Sequence, residues 1–277
     1  MVNLLIIGAG GVGRVCAFKA AKNSDTFNKI VLASKTKSKC DLIAKDIKEK
    51  LNKDIKTYKL DANKTQNVID LIKKENIDIV CNVALPYQNL PIMDACIKTS
   101  TAYLDTALAE TEDNPDTYYD LQWAKNEEFK KAKTMALLGC GFDPGVTSIM
   151  IKYGADYLLD ELEEIEIYDC NFGSHGKKFA TNFDPEINLR ELNLPGKYWE
   201  NGEWKTTKPF EIQTKHKYPE CGEAISILIW HEELESIIKH FPNLKSAKFY
   251  MCFSDEYLYH FNALKNVGMF SIEPIEI

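Results

Sequence analysis

Gly8, Gly10 and Gly13 stand in the spacing Gly-x-Gly-x-x-Gly, directly after the apolar run Leu4-Leu5-Ile6-Ile7. The chemistry this spacing offers belongs to the backbone. Gly8 permits a tight turn, Gly10 lets a pyrophosphate approach the main chain, and Gly13 lets a helix pack close on a strand. With Gly11 and Val12 they open an apolar helical pattern at Val15, Ala17, Phe18, Ala20 and Ala21. The first N–H groups and the positive dipole end of that helix suit phosphate oxygens. A glycine-rich turn between any strand and helix shares this pattern. Strand before and helix after supply the context that a dinucleotide site requires.

A second stretch selects the dinucleotide. Lys29-Ile30-Val31-Leu32-Ala33-Ser34 reads as the next parallel strand. Enzymes that use NAD usually carry Asp or Glu at this strand end, to bond the ribose 2′-hydroxyl. Here Ser34-Lys35-Thr36-Lys37-Ser38-Lys39 follows, with hydroxyls and cations and no acid. A 2′-phosphate needs donors and positive charge, so the expected cofactor is NADP(H), bound by Ser34, Lys35 and Thr36. A solvated lysine-rich turn is the plainer alternative.

The elements that position these residues follow in alternation. Residues 40–52 are helical by spacing, 56–60 form a short strand ending at Asp61-Ala62, and 65–75 form a helix. Asp61 and Ala62 are placed beside the adenine; alternatively Asp61, Asn63 or Thr65 caps the helix. Strand 78–84 stops at Leu85-Pro86. By the switch-point rule the first and fourth strand ends face one crevice, so Val83, Ala84, Leu85 and Pro86 are expected to line the nicotinamide ribose and ring. Helix 90–99 and a strand over 101–105 complete a doubly wound parallel sheet over residues 3–106. A helix over 119–132 and a strand from Thr134 into the Gly139 turn follow. Gly141-Phe142-Asp143-Pro144-Gly145 would face the same crevice. Asp143 and Pro144 read first as N-cap and first helical residue, and second as a catalytic acid with its flanking turn.

From Glu163 the periodicity changes to two, and the expected fold is α/β with two domains. Residues 1–145 are assigned to an NADP-binding Rossmann domain and 146–277 to an α+β domain on a largely antiparallel sheet. Tyr198-Trp199-Glu200-Asn201-Gly202-Glu203-Trp204 predicts a hairpin, since Asn-Gly suits a type I′ turn. Phe210–Thr214 is expected to continue it, followed by a helix over 231–240 and a strand over 246–254.

The bulk properties limit the function. Net charge is −7 without a basic stripe, which argues against nucleic acid as partner. No apolar run approaches the length of a membrane span, and no secretory leader is expected, since the N-terminal residues read directly as a strand. Eight cysteines are scattered without a CxxC pair, so they are read as reduced, mostly core-filling residues of a cytoplasmic protein with no metal site.

Several stretches together resemble one family: IIGAGGVGR, ASKT, CNVALPY, LDTA, GCGFDPGVT, DCNFGSHGKKFATNFDPEINLRE, YWENGEW, HEELES and ALKNVGMFSIEPIE. They are similar to carboxynorspermidine (carboxyspermidine) dehydrogenases, within the saccharopine dehydrogenase superfamily. The resemblance spans the chain. It implies NADPH-dependent reduction of the imine between aspartate β-semialdehyde and a diamine, putrescine or 1,3-diaminopropane. Family chains continue past SIEPI, so the second domain is expected to be incomplete at its C-terminus. A homodimer is expected. A saccharopine- or homospermidine-forming relative and a non-catalytic NADP-binding regulator are the alternatives.

That reaction assigns roles. The substrate carries a carboxylate and ammonium groups. Arg190, one of two arginines, suits the carboxylate through its planar fork, or else forms a salt bridge with a neighbouring acid. His175, flanked by glycine, is placed as proton shuttle or as a surface-loop histidine. Asn171, Thr181 and Asn182 add polar contacts, and Asp105 or Asp143 pairs with an ammonium.

Overall fold

The computed structural model describes residues 1–23, 25–110, 119–173, 175–181 and 184–271. The chain divides into two compact units, Met1–Met150 and Ile151–Ile277.

In the first unit, strands and helices alternate as β1 (Val2–Ile7), α1 (Gly11–Lys22), β2 (Phe27–Ser34), α2 (Lys37–Leu51), β3 (Lys56–Lys59), α3 (Thr65–Glu75), β4 (Ile79–Asn82), α4 (Asn89–Thr99), β5 (Ala102–Leu104), α5 (Asp120–Trp123), α6 (Asn126–Lys131) and β6 (Ala136–Leu137), before α7 (Val146–Tyr157). The six strands form one parallel sheet in the order β3-β2-β1-β4-β5-β6. The order reverses between β1 and β4, which is the switch point. Both sheet faces are apolar because both are covered. Leu5 and Ile7 of β1 pack with Val68, Ile72, Ile92 and Met93 from α3 and α4. Leu4 and Ile6 pack with Ala17, Ala20, Ala21, Ile43 and Ile47 from α1 and α2. This is why β1 reads as a continuous apolar run rather than an alternating one.

Some local expectations are corrected here. The single helix over 119–132 is two short helices, α5 and α6. Val15 is more than half exposed and is not on the packed face of α1. Asp143 and Pro144 are not the N-cap and first residue of α7, which begins at Val146.

The second unit contains β7 (Glu164–Asn171), α8 (Pro185–Asn193), β8 (Gly196–Glu200), β9 (Glu203–Thr207), β10 (Gln213–Tyr218), β11 (Gly222–Ile229), α9 (Glu233–His240), β12 (Ser246–Phe253) and α10 (Asp255–Asn266). The sheet runs β10-β11-β12-β8-β9, antiparallel throughout, with β7 parallel to β12 along its whole length. Ile227, Ile229, Phe249, Met251 and Phe253 face Leu192, Leu234, Ile237, Tyr257 and Phe261. Asn201 and Gly202 both have positive φ, at 53° and 86°, as the type I′ turn between β8 and β9 requires. Residues 210–214 do not continue that hairpin. Phe210 sits at φ 65°, and the chain from Gln213 pairs with β11 at the far side of the sheet.

The Asp-Pro cap occurs at Asp184-Pro185. The Asp184 carboxylate accepts from the N–H groups of Glu186 and Ile187, and Pro185 begins α8. An Asp184→Ala variant is expected to lose about 1 kcal/mol of stability, read by urea titration. An unchanged midpoint would refute the cap.

Candidate functional site

The candidate cofactor site is built on the Gly8–Gly13 turn. Gly8 takes φ 118°, and a Cβ there would lie 2.5 Å from the Val83 carbonyl oxygen. A Cβ on Gly13 would overlap the Gly8 carbonyl oxygen and reach the Val83 side chain. These two glycines let α1 close down on the ends of β1 and β4. Gly10 and Gly11 differ: a Cβ on either meets no atom within 4 Å. That open space, beside a helix N-terminus with no side-chain cap and no acid in its first turn, fits a pyrophosphate. Val12 is exposed in the same turn.

At the end of β2, Ser34 Oγ accepts from the Thr36 N–H and donates to the Thr36 carbonyl. This pins the loop that leads into α2. Lys35 is exposed and, among the described residues, its side chain has no hydrogen bond or ion pair. Asp61 is partly exposed and accepts from the Asn63 N–H at 3.3 Å, a local turn. It does not cap α3, which starts at Thr65 behind Lys64. Ala62 does not face an adenine: it is buried in the core with Leu60 and Val68.

The turn after β4 carries Val83, Ala84, Leu85 and Pro86. Leu85 is 41% exposed, whereas Pro86 is buried and so is not part of an exposed lining. A buried polar network supports this turn. Asn82 Oδ1 accepts from the Ala84 N–H at 3.1 Å, and Asn82 Nδ2 donates to Asn89 Oδ1 at 2.7 Å and to the Tyr103 hydroxyl at 3.2 Å. Asn89 donates to the Ala107 carbonyl. The Tyr103 hydroxyl donates to Asp105 Oδ2 at 2.9 Å.

Asp105 is 1% exposed. Its carboxylate also accepts from Gln122 Nε2 at 2.6 Å and from the Gly139 N–H at 2.8 Å. The expected contact with a substrate ammonium is therefore corrected: both oxygens serve internal donors and solvent does not reach them. Burial pushes the Asp105 carboxyl up to about 7, against those three donors, which favour the ionised form. Asn82, Asn89, Tyr103 and Gln122 were not among the expected site residues. The signal was present, since Asn82 ends the apolar strand Ile79-Val80-Cys81, where an amide must find a partner.

Asp143 is half-buried in the turn after β6. In the second unit, Asn171 ends β7 and is buried. His175, exposed at φ 50°, and Thr181 lie on the connection to α8. Asn182 lies outside the described residues. Arg190 projects from α8 with 23% of its side chain exposed, and its Nε is 3.5 Å from Glu186 Oε1, one helical turn back. The HEELES stretch supplies a buried pair, His231 Nδ1 on Glu233 Oε2, with the imidazole stacked on Phe249. Burial opposes the charged imidazole, but Glu233, with Glu232 and Glu191, outweighs it and raises the His231 pKa. Among the described residues no group of three or more His, Cys, Asp or Glu side chains is arranged to hold a metal ion, and the eight cysteines are free thiols. No helix among them is long and apolar enough to cross a membrane.

The open glycine turn at the switch point, with a cationic, acid-free end to β2, fits a Rossmann-type domain for a phosphorylated dinucleotide. Comparison with known proteins narrows the class. Residues 4–137 match the family model described as saccharopine dehydrogenase NADP binding domain, and residues 141–277 match the saccharopine dehydrogenase C-terminal domain. The chain belongs to the saccharopine dehydrogenase family and is an NADP-dependent oxidoreductase. It is 46% identical to a carboxyaminopropylagmatine dehydrogenase of Synechocystis sp. over 276 residues, all of this chain and 68% of the relative. It is 40% identical to the carboxynorspermidine synthase of Vibrio cholerae, over all of this chain and 69% of that protein. Among solved structures, the apo saccharopine dehydrogenase (L-Glu forming) of Saccharomyces cerevisiae shares the fold, with a TM-score of 0.74 at 17% identity. That match covers 98% of this chain and 59% of the yeast chain, so the chain spans under two thirds of that protein and about two thirds of its curated relatives.

Proposed function

We propose that this protein catalyses the NADPH-dependent reductive condensation of L-aspartate 4-semialdehyde with a diamine, giving carboxyspermidine or carboxynorspermidine in polyamine biosynthesis. The observation that carries this reading is the 40% identity, along the whole chain and across both family domains, to carboxynorspermidine synthases. The amine adds to the aldehyde, water leaves, and the resulting imine carbon takes a hydride, with a proton for the nitrogen. NADPH supplies the hydride when bound. The chain's own task is to hold and orient. The Gly8–Gly13 turn holds the pyrophosphate, Ser34, Lys35 and Thr36 hold the 2′-phosphate, and Val83, Ala84 and Leu85 support the nicotinamide end. Residues 1–145 serve as the cofactor domain and 146–277 as the substrate and dimerisation domain of a cytoplasmic homodimer.

In this reading Arg190 grips the aspartyl carboxylate, exchanging its long contact with Glu186 for a two-pronged one. His175 or Asp143 moves the proton, and Asn171 and Thr181 add polar contacts. Arg190→Ala is expected to lower kcat/KM for the semialdehyde about a hundredfold, mainly through KM. Glu186→Ala, which breaks the same ion pair, should leave KM unchanged. Equal behaviour of the two variants would reduce Arg190 to a structural salt bridge.

A second reading takes agmatine as the amine, favoured by the 46% identity to the carboxyaminopropylagmatine dehydrogenase. The deciding assay follows NADPH oxidation with aspartate semialdehyde and, in turn, putrescine, 1,3-diaminopropane and agmatine. The amine with the highest kcat/KM identifies the substrate. Turnover only with 2-oxoglutarate and lysine, or none in the presence of tight NADPH binding, would overturn both readings.

A further inference from the structure

The lysine-rich run after β2 contains three cations, and the structure does not leave them equivalent. Lys37 is engaged: its Nζ lies 2.7 and 2.9 Å from the two oxygens of Asp41, one turn along α2. Asp41 also accepts from the Thr57 hydroxyl on β3. This last bond shows which face of β3 carries α2. Side chains two apart on a strand share a face, so Lys59 projects on the same side as Thr57. It lies one step nearer the C-terminal end of the sheet, which is the end where α2 begins. The strand register agrees, pairing Lys59 with Ser34, while the Leu60 N–H donates to the Ser34 carbonyl at 2.9 Å. Lys59 is exposed and, among the described residues, its side chain has no acid or other partner.

We infer that Lys59 is a specificity-determining residue for the cofactor, placing a second cation, with Lys35, on the ribose 2′-phosphate. This rests on the reading of the β2 end as an NADP site. A phosphate dianion held by the Ser34–Thr36 turn and by the free N–H groups opening α2 needs charge on more than one side. Lys35 supplies it from the loop, and Lys59 from the neighbouring strand. Lys37, though nearer in sequence, is neutralised by Asp41. No spacing rule reveals Lys59, because 25 residues separate it from Ser34 and only the β2–β3 register brings them together.

The test uses 2′,5′-ADP and 5′-AMP, which differ by the phosphate in question, titrated by calorimetry against the protein and its variants. Lys59→Ala is expected to weaken 2′,5′-ADP about tenfold and leave 5′-AMP unchanged. Lys59→Arg should restore most of the loss, and Lys37→Ala should change neither ligand. No loss with Lys59→Ala, equal loss for both ligands, or a loss confined to Lys37→Ala would overturn the assignment. If the unmodified protein binds the two ligands equally, the NADP reading beneath the assignment fails instead, an outcome separable because it requires no variant.

Discussion

Gly13→Ala is expected to destabilise the first unit by about 2–4 kcal/mol and to abolish NADPH binding at any practical concentration. The added methyl has nowhere to go. It would overlap the Gly8 carbonyl oxygen and lie 2.8 Å from the Gly8 carbonyl carbon, with the Val83 side chain 3.5 Å away on another side. The colliding atoms are backbone, so no rotamer change relieves them. Either α1 tilts away from the ends of β1 and β4 or the turn deforms, and both displace the N–H groups proposed to hold the pyrophosphate. Gly10→Ala and Gly11→Ala separate folding from binding. Their methyl groups enter open space, so the thermal midpoint should stay within a degree or two. NADPH affinity should nevertheless fall, because that space is where the proposed site receives the phosphates. Thermal melts paired with NADPH fluorescence titrations read both quantities. A Gly13→Ala protein with an unchanged midpoint would refute the close-packing account of this glycine.

The second large effect concerns Asp105. Truncation to alanine leaves three buried donors without an acceptor: the Tyr103 hydroxyl, the Gln122 amide and the Gly139 N–H. Each orphaned donor costs about 1–3 kcal/mol, so a loss of 3 kcal/mol or more is expected. The turns after β4, β5 and β6 should loosen together, because the same chain of bonds runs on through Asn82 to the Ala84 N–H. The pH dependence has a definite sign. The carboxyl titrates near 7 in the folded protein against an ordinary 3.8. A raised pKa means that the folded state binds the proton more tightly than the unfolded state. The contribution is therefore fully present below about pH 4 and is lost as pH rises through about 7. The span corresponds to about 4 kcal/mol. Asp105→Asn keeps the shape without the titration. Its stability relative to the unmodified protein should rise steadily between pH 4 and 8, as read by urea midpoints. Parallel curves for the two proteins would sink the assignment.

Much of the first unit was readable without coordinates. The apolar run of β1, the glycine spacing and the strand–helix alternation are local patterns, and each records how its own segment is buried. The Asn201-Gly202 turn was readable for the same reason, since two adjacent residues must take positive φ. The errors share a cause too. Asp143-Pro144 and Asp184-Pro185 carry the same cap signature, yet only the second starts its helix. Asp105 looked like an accessible acid at a strand end and is sealed by Tyr103, two residues before it, and by Gln122, which arrives from α5. Ala62 looked like a cofactor contact and faces the core. Strand β11 was not anticipated; its antiparallel partners β10 and β12 are brought to it only by the assembled sheet.

By itself, then, the sequence determined the class of fold, the family, the dinucleotide turn and the absence of an acid at the end of β2. These depend on residue type and short spacing, which act through local backbone conformation and periodic burial. Tertiary structure alone decided which polar groups are sealed and which are free. The Lys37–Asp41 pair is a local contact one helical turn long, but Lys59 is left open beside Ser34 by the β2–β3 register, and Asp105 is shut in while Lys35 is not. Charge availability is set by the partner that long-range register brings within hydrogen-bond distance, and register between distant strands is a property of the assembled sheet.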